Sequence, residues 1–238
     1  MAVGRSRSDS DALGGVVNGY APLDSSLLIP PAYLPSGSTG ARYPVQSANS
    51  ASGSSTTRTA TTGAAPTNGN TLILVTLSEG TDAVSTVVTT NVTWSKIVGS
   101  TAGVAPVIEI WKGVVAASAG TGTVVTWAAS TFHNATVMEW SGLTGTLDTS
   151  AERHVTNDPT GSHPIAIVEP TVQTALVVSG TSTTNNSTQF TTFSGTALMH
   201  LLTATCSVDF GFPGTSPVYG TANGGSSATC TSLSASLT

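Results

Sequence analysis

A chain of 238 residues is long enough to bury a sizeable core, in one large β domain or two small ones. Only 8% of it is charged and its mean hydropathy is +0.18, which excludes the disordered class, where low hydrophobicity meets high net charge. The first 58 residues sum to +1 and the remainder to −6, so the larger part of the chain lacks an electrostatic footprint for nucleic acid or an anionic membrane surface.

Ser, Thr, Gly, Ala and Val take the place of the missing charges. That mixture disfavours helices and suits strands whose outer faces carry hydroxyl groups. The expected class is all-β. No apolar run approaches the roughly 18 residues of a membrane span. Residues 1–9 are polar and lack the apolar stretch of a secretory signal, so synthesis and retention in the cytosol are expected. Cys206 and Cys230 are too few for a disulfide framework and read as packed strand residues.

Residues 1–12 are charged, small and aperiodic, and read as a flexible arm. Residues 13–37 read as an extended connector, because Pro22, Pro30, Pro31 and Pro35 leave no room for a helix. The connector holds Tyr20, Leu23, Leu27, Leu28, Ile29, Tyr33 and Leu34. So short a segment cannot bury these side chains against itself. They are therefore the candidate oligomer-forming and anchoring residues. Residues 38–65 are rich in Ser, Thr and Gly and read as a linker, with a first strand near Ala41–Val45 or in the Thr-rich Ser55–Thr62 as the alternative.

A β-sandwich is expected over residues 66–238. It opens with Thr71–Leu77, a continuous apolar run that predicts a strand covered on both faces. Val84–Val88, Asn91–Val98, Val107–Val115, Thr121–Trp127 and Ala135–Gly142 follow at sandwich spacing. A polar crossing is expected from 142 to about 168. Then the pattern restarts: Thr174–Val178 echoes Thr71–Val75, Met199–Cys206 echoes Glu109–Val115, and Ala228–Ser234 echoes Ala135–Ser141. Such a two-fold echo suggests two half-sandwiches closing one jelly-roll-like core, which removes exposed sheet edges.

Asn18-Gly19-Tyr20-Ala21-Pro22-Leu23-Asp24-Ser25-Ser26, followed by Ile29-Pro30-Pro31-Ala32-Tyr33-Leu34-Pro35, resembles a connector element of bacteriophage tail-fibre and related virion appendage proteins. It departs from that element at Leu27 and Leu28, where the family carries Gly and Lys before the first proline. From about residue 68 onward, the order of strand-like segments also resembles a β-sandwich domain of phage minor tail and appendage proteins. The resemblance implies a structural virion component of the tail-fibre or minor-tail type, located in the virion. Its implied partners are two sister copies in a homotrimer and other tail or capsid proteins. A head fibre or capsid decoration protein shares the same plan.

Motifs for nucleophilic, metal-dependent or nucleotide chemistry are missing from the sequence, so no enzyme, cofactor or metal is expected. Glu152, His154, Asp158 and His163 have ligand-like spacing but fall in the polar crossing and read as loop residues. Asp148 with Glu152, or Glu109 with Glu139, are the carboxylate pairs open to glycoside hydrolysis. His133 and His200 read as structural. Trp94, Trp111, Trp127 and Trp140 form the candidate glycan platform, since sugar rings stack on exposed aromatics. A host-surface glycan is the remaining partner, and the matching alternative function is a glycan-binding, receptor-recognition module.

Overall fold

In the computed structural model the described residues are 44–51, 53–158, 162–164, 166–172, 175–184, 190–195, 199–203, 206–211, 220–224 and 228–238. For 157, 158, 162–164, 190–195, 199–203, 206–211, 220–224 and 228 the description covers backbone pairing alone. The arm and connector lie outside the described residues. Residues 40–238 form one compact unit.

Every described element is a strand. The first nine are β1 (Gln46–Asn49), β2 (Gly53–Ser54), β3 (Thr57–Thr61), β4 (Thr71–Ser78), β5 (Val84–Val88), β6 (Val92–Gly99), β7 (Val107–Val115), β8 (Gly122–Trp127) and β9 (Phe132–Trp140). The next eight are β10 (Leu147–Asp158), β11 (Ser162–Pro164), β12 (Leu176–Thr183), β13 (Phe190–Gly195), β14 (Met199–Thr203), β15 (Cys206–Gly211), β16 (Gly220–Gly224) and β17 (Ala228–Leu237). All pair antiparallel. The protein is an all-β sandwich.

Two expectations are corrected here. Residues 46–61, read as linker, form β1 and β2 beside β9 and β3 beside β8. Their Ser/Thr-rich composition hides strands whose hydroxyls alternate with a few inward residues such as Ala60. The polar crossing after Gly142 is largely the 12-residue strand β10, paired along β17. Ser150, Glu152, Arg153, His154 and Thr156 are exposed on this strand, which is the edge of its sheet.

Sheet order repeats between the halves. The first half has an inner sheet β1-β9-β4-β7-β6, with β2 also on β9, and a second sheet β3-β8-β5. The second half has β10-β17-β12-β15-β14 and β11-β16-β13. Setting β2 aside, each half has eight strands and the same order: first, eighth, third, sixth and fifth in one sheet, second, seventh and fourth in the other. A jelly roll differs only in carrying its fifth strand beside the fourth. Ala228–Leu237 stands where Phe132–Trp140 stands, as the echo suggests. Met199–Thr203, however, takes the edge place of β6, and Cys206–Gly211 takes that of β7.

Each half therefore has its own pair of sheets, and the six-stranded inner sheet of the first packs against the five-stranded inner sheet of the second. The seam is apolar: Ile73, Val75 and Leu77 of β4 and Ile108 and Ile110 of β7 meet Leu176 and Val178 of β12 and Leu233, Ala235 and Leu237 of β17. On the other face of the first inner sheet, Leu72 and Leu74 pack with Val125 and Trp127 of β8 and Ala60 of β3. Because both parities of Thr71–Ser78 meet a neighbour, all eight residues of β4 are buried.

The second inner sheet solves its outer face differently. Ser179, Thr181, Ser232, Ser234 and Ser236 are fully buried there. Ser234 Oγ donates to the Ala166 carbonyl at 2.7 Å, so Ser179 Oγ, 2.6 Å away, is the donor between the two serines. Thr181 Oγ1 and the Ala166 N–H both donate to Ser232 Oγ, at 3.1 and 3.0 Å. Hydrogen bonding allows what hydropathy alone would forbid.

Candidate functional site

The space between the first inner sheet and β3-β8-β5 has an apolar centre and a polar rim. Register sets this out. Leu72, Leu74, Thr76 and Ser78 of β4 share the face toward β8, and their partners on β9 are Glu139, Val137, Ala135 and His133. On β7 the same positions pair with Gly113, Trp111, Glu109 and Val107. Glu139 and His133 consequently fall at the two ends of the β9 row, and Glu109 one place in from the end of the β7 row, where the chain can bring donors to them.

Three clasps result. Glu139 is fully buried, accepting from Thr67 N (2.8 Å), Asn70 Nδ2 (2.6 Å) and Gln46 Nε2 (2.6 Å). Burial pushes its pKa up, but these three donors outweigh burial and hold the carboxyl below its ordinary value. His133, also fully buried, stacks on Trp127 with ring centroids 4.2 Å apart. Its Nδ1 lies 2.7 Å from the Ser55 carbonyl, which can only accept, so this nitrogen carries the proton. Its Nε2 is 2.9 Å from Thr131 Oγ1, itself 3.1 Å from Asp82 Oδ2. Burial lowers the His133 pKa, against the Ser55 carbonyl and the Asp82 charge, which pull it up, while Arg58 adds to the lowering.

The third clasp opens to solvent. Glu109 Oε1 accepts from Lys96 Nζ at 3.0 Å, and its Oε2 accepts from Val84 N at 3.1 Å and Trp111 Nε1 at 3.3 Å. The carboxylate is 3% exposed and the lysine 48%. Lys96 Nζ also stands 5.9 Å from the Trp111 ring centroid, within cation–π range. One step along the ladder, Trp94 lies opposite Gly113. A Cβ on Gly113 would come within 3.0 Å of Trp94 Cη2 and Cζ3, so the indole rests directly on the glycine backbone. Trp94 Nε1 donates to Thr89 Oγ1 at 3.3 Å. The result is a shelf of two half-buried tryptophans and one half-exposed lysine on the edge strand β6 and its neighbour β7.

Of the proposed platform, Trp127 and Trp140 are 2% and 1% exposed and cannot stack a sugar. Trp94 and Trp111 are the members brought together. The carboxylate pairs do not converge: Glu109 and Glu139 sit in separate clasps, while Glu152 accepts from Thr101 N and Oγ1 and Asp148 from Thr171 and Ser236. The donors from Thr171 hold the Asp148 carboxyl below its ordinary range. His154 Nδ1 is 3.0 Å from Thr231 Oγ1. The side chains of Asp158, His163, His200 and Cys206 lie outside the described residues, as do all seven connector residues. Cys230 is buried in β17. Sequence reasoning passed over Lys96, Asp82 and Glu79. The available signal was the scarcity of charge, which makes every charged residue within a strand-like run notable.

The fold and site define an all-β tandem sandwich with a polar-rimmed first half. Set against known proteins, the chain matches no family model, no curated protein and no solved structure.

Proposed function

We propose that the chain is a structural component of a bacteriophage virion, of the tail-fibre or minor-tail type. Residues 1–37 mount it, the connector's apolar residues are buried among sister copies in a homotrimer, and the tandem sandwich projects outward. The observation that carries this reading is the order of residues 18–35, Asn-Gly-Tyr, Leu-Asp-Ser and Pro-x-x-x-Leu-Pro, joined to a sparsely charged all-β body. The shared seam of the two inner sheets adds support, because an appendage must keep its shape outside a cell.

Phage particles carrying a tagged copy, purified on a density gradient and labelled with gold against the tag, test the reading. Label on the tail or its appendages is expected. Label on the head would point to a head fibre or decoration protein, and tag found wholly in particle-free fractions overturns the virion assignment. Deleting residues 13–37 is expected to leave a soluble sandwich that light scattering finds monomeric; a trimer would show that the connector does not form the oligomer.

A further inference from the structure

We propose that the β6–β7 edge of the first half is a carbohydrate-binding site that takes neutral pyranose rings of an oligosaccharide. This goes beyond the virion reading and does not depend on how the chain is mounted.

Binding a sugar in water takes a flat apolar surface for the C–H face of the ring, with donors beside it for the hydroxyls. An indole supplies the first, since its π face is negative and the C–H bonds are weakly positive. Trp94 and Trp111 lie on the same face of the β6–β7 ladder at adjacent same-face positions, Trp94 opposite Gly113 and Lys96 opposite Trp111. As a diagonal pair on adjacent strands they stand about 7–8 Å apart, a span that successive sugar rings can cover.

Both rings are fixed before any ligand arrives. Trp94 Nε1 is committed to Thr89 Oγ1 and Trp111 Nε1 to Glu109 Oε2. Both indoles pack against the buried cluster around Leu72, Leu74 and Val125, so the carbon surface left uncovered is what they can offer a ligand, and little rotamer freedom remains to be lost on binding. Gly113 is part of the device, because a side chain there would lift Trp94 off the sheet.

Lys96 supplies the donors. An ammonium has three N–H bonds, and the clasp uses one of them on Glu109 Oε1 at 3.0 Å. The side chain is 48% exposed, with Nζ over the Trp111 ring at 5.9 Å from its centroid, so the other N–H donors lie at the solvent side of the shelf. Glu109, buried beneath, holds the lysine in place and cancels its charge. A neutral ligand therefore fits better than an acidic one, which would need an uncompensated cation.

The full chain has four indole N–H groups, two in the shelf and two buried as internal controls. In a ¹H–¹⁵N correlation spectrum, maltohexaose, cellohexaose and N-acetylchitohexaose are each titrated to about 10 mM, the range in which weak sugar binding is seen. At least one is expected to shift the Trp94 and Trp111 signals while Trp127 and Trp140 stay fixed. Lys96→Met and Trp111→Phe are each expected to weaken that binding about tenfold, with the buried indole signals unchanged as proof of folding. The proposal is overturned if none of the three sugars moves the shelf indoles, if all four indoles move alike, or if Lys96→Met binds as tightly as the parent.

Discussion

Gly180 of β12 faces Val75 of β4 across the seam of the two inner sheets: a Cβ on Gly180 would fall 2.8 Å from Val75 Cγ1 and 2.9 Å from Ile108 Cγ2. Neither contact partner is a flexible chain end, so the sheets would have to move apart. Gly180→Ala is expected to cost about 1–3 kcal/mol as overpacking, or about 2–12 °C in Tm for a unit of this size. Calorimetry checks this. An unchanged Tm would mean that the seam is looser than the geometry states. Because the seam joins both halves, parent and variant should each melt in a single transition.

Thr136 of β9 presents the opposite case. Its register partner is Val75, and its Oγ1 is buried with no hydrogen-bond partner among the described residues. A desolvated hydroxyl without a partner is a standing cost. Thr136→Val keeps the β-branched shape and replaces that hydroxyl with a methyl group. It is expected to stabilise the fold by about 1 kcal/mol, measured as a higher urea midpoint at unchanged slope. A lower midpoint would show that the hydroxyl is bonded.

Much of the fold was legible where apolar residues occupy both strand parities. Thr71–Leu77 reads as buried on both faces, and it is, because one face meets the other half and one meets β8. Thr57–Thr61 was legible only as an alternative to a linker, and β10 was read as a polar crossing, since strands clothed in Thr, Ser, Glu and His look like loops in composition. Nor could hydropathy distinguish the buried hydroxyls of β12 and β17 from exposed ones; the difference lies in bonds to Ala166, far away in sequence. The shelf was half legible. Its tryptophans stood out, but which of the four faces solvent depends on register, and the Lys96–Glu109 pair spans two strands.

Ser234 shows that a buried hydroxyl can also be a support. It donates to the Ala166 carbonyl and accepts from Ser179, joining the segment before Val168 to the second inner sheet. Ser234→Ala leaves both partners buried and unpaired, at an expected cost of about 1–3 kcal/mol. The sign is opposite to that at Thr136, although both changes delete one buried hydroxyl. Urea unfolding of the two variants side by side checks this contrast, and equal signs would refute the bonding assigned to one of them.

Two groups bend the pH profile in opposite directions. Burial raises the Glu79 carboxyl from about 4.5 to about 7, and its Oε1 is buried without a partner among the described residues. The folded chain then holds a proton that the unfolded chain releases, so stability is full below pH 4.5 and falls as pH rises toward 7. Glu79→Gln is expected to leave stability unchanged near pH 4 and to raise it at pH 8, by about 1–2 kcal/mol after allowing for partial exposure. His133 acts the other way. Burial lowers its pKa from 6.5, so the unfolded chain takes up a proton first and stability is lost as pH falls below 6.5. With Glu79 replaced, the acid-side fall due to His133 should stand alone. Chemical denaturation of Glu79→Gln from pH 8 to pH 5 is expected to show stability declining steadily below about 6.5. A flat profile in that window would mean that the His133–Ser55–Thr131 clasp takes up its proton without loss.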